Sequence, residues 1–174
     1  MNAETDMEAE ANSSGRGLGI ALWIAVLAAI AGFVAIGSAM SLEPLYAGFL
    51  LLWYWASIDK ADFKALPKTT LGSFAGLALA WSLRVLPQEL GGAGLAIALL
   101  VVALAILIQI LNIAPFIVNA PFMLYLTVFA APVLQREESF SAVAVSIAAG
   151  TIYFACFVWG PIAAKRRLID RGNS

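Results

Sequence analysis

Residues 70–86 read TLGSFAGLALAWSLRVL, and residues 142–162 read AVAVSIAAGTIYFACFVWGPI. Both are apolar runs that approach or reach the roughly 17–25 residues a helix needs to cross a bilayer. Each carries a small-residue pair ahead of a tryptophan, Gly72-Ser73 before Trp81 and Gly150-Thr151 before Trp159. Working outward, Pro44 precedes Tyr46 as Pro121 precedes Tyr125, and the loop at Asp59-Lys60 matches the position of Glu137-Glu138. The chain thus reads as three apolar segments and a charged loop, then much the same again. Three crossings is an odd number, so the second unit enters the bilayer upside down. Inverted repeats of this kind recur in channels and secondary transporters, with the solute site near their interface.

Composition sets the class independently. Of 174 residues, 62% are hydrophobic and only 12% charged, with a mean hydropathy of +0.91. A soluble domain carries about 25% charge, so this chain belongs in lipid. A net charge of −1 leaves no basic face to neutralise phosphates and argues against nucleic-acid binding. The lone Cys156 excludes an internal disulfide, and the absence of histidine removes the commonest metal ligand and general base. No metal site, cofactor or enzymatic activity is expected.

Six spans follow, at about residues 18–38, 44–58, 70–86, 94–111, 116–134 and 142–162. They form a membrane domain over 18–162, between an acidic leader (1–17) and a basic tail (163–174). The leader holds Glu4, Asp6, Glu8 and Glu10. It reads as disordered and cytoplasmic, not as a signal peptide, which opens with positive charge. Lys60, Lys64 and Lys68 follow the second span, and Lys165, Arg166, Arg167 and Arg171 follow the sixth. The positive-inside rule places both groups in the cytoplasm. Six is even, so both termini lie inside, and the expected setting is a bacterial inner membrane.

Small residues mark where helices approach. Gly72 and Gly76 form a GxxxG pattern, and Ser146 with Gly150 is its looser relative. Such faces replace the hydrophobic drive that lipid removes. They serve packing within one subunit or an interface between subunits, and a homo-oligomer is expected because 174 residues build only a thin bundle. Tryptophans and tyrosines, among them Trp53, Tyr54 and Trp55, read as an interfacial belt.

Polar groups at membrane depth are few. Gln109, Asn112 and Asn119 lie in a stretch interrupted by Pro115 and Pro121. The prolines remove amide donors and disfavour helix before them, so the segment reads as broken or re-entrant. Irregular backbone at that depth must be satisfied by protein or by a water-filled cavity. The amides either cap the broken helix or face a solute. Glu43 opens the second span and Arg84 ends the third on the same side; each has a pairing and a solvent-facing reading. With Tyr46 and Tyr125, these residues outline a solute pathway near the second and fifth spans.

The run Ala47-Gly48-Phe49-Leu50, the lysine loop, Gly72 to Trp81 and Pro87 resemble the small multispan bacterial inner-membrane proteins of the YcdZ type. In the second half the likeness continues through Gln109, Pro121-Phe122 and the acidic loop before the last span. The resemblance implies the same multispan helical fold and brings no catalytic residues; the acidic leader departs from it. The expectation is an all-α integral membrane protein of two inverted three-helix repeats. It would act as a small channel or transporter for a small neutral or weakly charged solute. The alternative is a non-catalytic accessory subunit packed against a partner.

Overall fold

A computed structural model describes the backbone of residues 3–172 and the side chains of residues 17, 19–21 and 23–160. The charged side chains of the leader and of the basic tail, which carry part of the orientation argument, lie outside the described residues. The chain is helical throughout, with no strand among the described residues. Two compact units divide it, Met1–Met40 and Ser41–Ser174.

The first unit is one helix, α1 (Ala3–Ala39), whose backbone takes in most of the leader as well as the first apolar segment. Its stretch Gly19–Ala39 is long and apolar enough to cross a membrane, as are α3 (Leu66–Ile110) and the Phe140–Gly160 part of α6 (Phe140–Gly172). Three helices therefore qualify outright. The remaining elements are shorter: α2 (Leu45–Ser57), α4 (Ala120–Phe129) and α5 (Pro132–Glu137).

α3 departs from the expectation of separate third and fourth spans. Pro87 sits inside it, and at Gly91 the backbone leaves helical geometry with φ 58° and ψ −136°. Only glycine adopts that region without a steric penalty. A Cβ on Gly94 would lie 1.9 Å from the Leu86 carbonyl oxygen, so the chain turns tightly back on itself. Ala80 and Ala105 join one hydrophobic cluster, although a straight helix would hold them about 37 Å apart. α3 is thus a hairpin of two antiparallel limbs, 66–90 and 92–110. The expected loop at 87–93 shrinks to a single reversal at glycine.

The segments of the second unit alternate in direction. Gly72 meets Asn119 and Gly76 meets Phe122, so the first limb of α3 and α4 run parallel. Ala47 bonds to Tyr125, and Tyr46 stacks on Phe129 at 5.9 Å, while Tyr54 and Ala120 line one cavity. α2 is therefore antiparallel to α4. α6 begins beside the later turns of α3 and brings Thr151 within 3.5 Å of Thr70, so it too runs against the first limb. The expected fifth span at 116–134 is broken: α4 stops at Phe129, and Pro132 opens α5, which Gln135 ties to the Ala80 carbonyl at 3.0 Å.

Small residues set these crossings. A Cβ on Gly76 would lie 2.1 Å from the Phe122 carbonyl oxygen, and one on Gly150 2.8 Å from the Gly48 Cα. The Gly76 case demands backbone movement, which costs about 1–3 kcal/mol in a packed core. A Cβ on Gly92 meets nothing within 4 Å. Gly76→Ala should lower the unfolding temperature of the detergent-purified protein, whereas Gly92→Ala should leave it unchanged or raise it by helix propensity. Equal effects of the two substitutions in a thermal melt would refute the close α3–α4 crossing.

Candidate functional site

The turn-rich stretch between α3 and α4 ends at Asn119, the N-cap of α4. Its side-chain oxygen accepts from the Phe122 amide at 3.0 Å, and its nitrogen donates to the carbonyls of Phe116 (3.2 Å) and Lys68 (3.1 Å). The Lys68 bond joins the first turn of α3 to the start of α4. Gly72 leaves the room for it, since a Cβ there would lie 2.1 Å from the Asn119 Oδ1. Only 7% of Asn119 is exposed. Of its two sequence readings, the structure displays the capping one.

Around this knot opens a cavity of about 310 Å³, lined by Tyr54, Asp59, Lys68, Thr69, Gln109, Asn112, Asn119 and Pro121 among others. It gathers three of the expected pathway residues, Gln109, Asn112 and Asn119. Thr69 is buried and donates to the Asp59 carboxylate at 2.5 Å. The loop carrying Asp59 is pinned by Trp55, whose indole nitrogen donates to the Asp62 carbonyl at 2.8 Å and whose ring meets Phe63 edge-on. Trp55 is fully buried, so it belongs to the core and not to the interfacial belt. Trp53, Trp81 and Trp159 are exposed, as a belt requires. Asp59, Lys68 and Thr69 enter the site without any local sequence signal, because only the return of α3 and α4 brings them beside Gln109 and Asn112.

The other expected residues lie elsewhere. Tyr125 is fully buried, and its hydroxyl donates to the Ala47 carbonyl. It acts as a staple between α4 and α2 and lines neither cavity. Glu43 is exposed in the turn before α2, and Tyr46 is partly exposed against Phe129. Arg84 lines a second cavity of about 890 Å³ with Trp81, Gln88, Arg136, Glu137 and Glu138. Glu43 and Arg84 thus occupy different surroundings.

Between the cavities lies a buried layer. Ser73 donates to the Thr69 carbonyl at 2.9 Å, as Thr151 donates to Ile147 at 2.8 Å, the back-bonding expected of helical hydroxyls. Ser146 differs: it accepts the Gly48 amide at 3.3 Å and so bridges α6 to α2. Gly72, Gly76, Ser146 and Gly150 are all buried within the single chain. Thr69 lines the first cavity and Phe74 the second, and only about 8 Å of helical rise separates them. Among the described residues no cluster of His, Cys, Asp and Glu could hold a metal ion. No protein-family model, curated protein or solved structure matches the chain.

Replacing Asn119 tests the knot. Asn119→Leu orphans the buried Phe122 amide, at a cost of about 1–3 kcal/mol, and removes the ties to the Phe116 and Lys68 carbonyls. Asn119→Asp keeps the acceptor for Phe122 and should be the milder change. Thermal unfolding in detergent should rank the unmodified protein above Asn119→Asp, and that above Asn119→Leu. A neutral Asn119→Leu would mean that the side chain does not hold the helices together.

Proposed function

We propose that this protein is a small channel or transporter of a bacterial inner membrane, passing a small neutral or weakly charged solute. The observation that carries the reading is the approach, along the first limb of α3, of the polar-lined cavity at Asn119 and a wider, mostly apolar groove that holds Arg84, Arg136, Glu137 and Glu138. Two hollows on successive turns of one helix are what a solute pathway in its closed state would offer. Joining them would require α2 or α4 to shift, breaking the Tyr125–Ala47 and Ser146–Gly48 hydrogen bonds and repacking the apolar cluster around them.

The membrane arrangement belongs to the same proposal. Six spans, with the α3 hairpin counted as two and the short α2 and α4 as one each, place both termini in the cytoplasm. The alternating directions of α2, the two limbs of α3, α4 and α6 support that count. An inverted repeat draws support from reciprocal packing: the GxxxG face of α3 receives α4, and the Ser146–Gly150 face of α6 receives α2. Pro44 and Pro121 open α2 and α4 at matched places in the two halves, although α3 and α5 also begin with a proline in their first turn. The homo-oligomer draws nothing from those faces, which are filled within one chain. The resemblance to YcdZ-type proteins is compatible with all of this and supplies no solute.

Two experiments test the reading. In a Cys156→Ser background, a cysteine at Lys64 should react with an impermeant maleimide only from the cytoplasmic side, and one at Gln88 only from the opposite side. Labelling of both from one side would end the six-span arrangement. Stopped-flow light scattering of proteoliposomes should report protein-dependent entry of one or more small solutes such as urea, glycerol or a weak acid. Gln109→Leu should reduce that flux severalfold, and Tyr125→Phe, which frees α2 from α4, should raise it. No flux from a well-folded preparation would favour the accessory subunit instead.

A further inference from the structure

We infer that the cavity between the starts of α3 and α4 receives a small zwitterionic solute, one carboxylate and one ammonium group on a skeleton the size of a free amino acid. The inference rests on reading the bundle as a solute pathway and names the solute class for it. The cavity lining holds one carboxylate, Asp59, and one ammonium, Lys68. Asp59 is held in place by the hydroxyl of Thr69, itself only 1% exposed, and that bond occupies one carboxylate oxygen. Lys68 is anchored at its backbone, where its carbonyl takes the Asn119 side chain, so its flexible stem extends from a fixed point. The site therefore presents one fixed negative group and one adjustable positive group around a space of about 310 Å³, at the small end of ligand cavities.

Three solute classes fare differently there. A lone anion answers Lys68 and meets repulsion from Asp59; a lone cation meets the reverse. A neutral amide gains from neither charge. A zwitterion answers both at once. The positive ends of α3 and α4 open toward the same cavity, so its Lys68 side favours the carboxylate. Gln109 and Asn112 add amides that donate and accept, as suits a molecule with both kinds of polar end.

The test uses the full chain purified in detergent and four probes of similar size: L-alanine, propionate, ethylamine and propionamide. At equal millimolar concentration, L-alanine should raise the unfolding temperature most. Asp59→Asn and Lys68→Gln should each weaken L-alanine binding by about tenfold or more, the weight of one charge-assisted hydrogen bond. Where either variant fails to fold, Gln109→Leu should also weaken binding, and the ranking on the unmodified protein decides by itself. Propionamide matching L-alanine, no response to any probe, or a preference unchanged in folded variants would overturn the inference. Flux of the same four compounds into proteoliposomes separates it from the broader proposal. Binding of L-alanine without flux keeps the site and removes the transport reading; flux indifferent to the two charges does the opposite.

Discussion

Asn119 uses one short side chain to tie the start of α4 both to the turn before it and to α3. It caps α4, takes up a carbonyl from the irregular turn before it, and reaches across to the first turn of α3. Without it the buried Phe122 amide would stand unsatisfied, at a cost of about 1–3 kcal/mol. The irregular stretch between Ile110 and Ala120 satisfies several of its amides by turn bonds of its own, and this side chain fixes where it ends. Gly72 supplies the space, Gly76 continues the same close face against Phe122, and Tyr125 then falls where it reaches Ala47 on α2. The registration of α2, α3 and α4, and with it the shape of both cavities, follows from that contact.

Much of the fold is legible in the sequence because lipid narrows the choices. Apolar runs read as helices, and proline at residues 44 and 121 correctly marks two helix starts. Gly72, Gly76 and Gly150 sit where other helices come within reach of a Cβ, and Ser146 accepts the Gly48 amide. What sequence does not convey is how breaks are resolved. Pro87, Gly91 and Gly92 read together as a loop, yet the helix absorbs Pro87 and concentrates the whole reversal at Gly91. Trp55 reads as interfacial by type, and its burial depends on a loop folding back to offer the Asp62 carbonyl.

The candidate site divides along the same line. Gln109, Asn112 and Asn119 stand out as amides among apolar residues, and they do converge on one cavity. Asp59, Lys68 and Thr69 look in sequence like a charged loop and a helix start, the kind of residues that simply orient a membrane protein. Their role in the lining is a product of tertiary return, which no local spacing encodes. Tyr125 shows the opposite failure, since a tyrosine in a polar-looking row becomes a buried brace.

The brevity of α2 and α4 carries a consequence for voltage. Their 13 and 10 residues extend about 20 and 15 Å, against a hydrocarbon thickness of about 30 Å. On the six-span reading, water in the two cavities would carry the bulk potential inward from each face. The membrane field would then fall mostly across the thin layer at Ser73, Tyr125 and Ser146. A free charge crossing there would perform nearly the whole electrical work, about 2.3 kcal/mol per 100 mV. A molecule bearing equal and opposite charges would cross with almost none, so its movement would follow its own concentration gradient and be nearly blind to membrane potential.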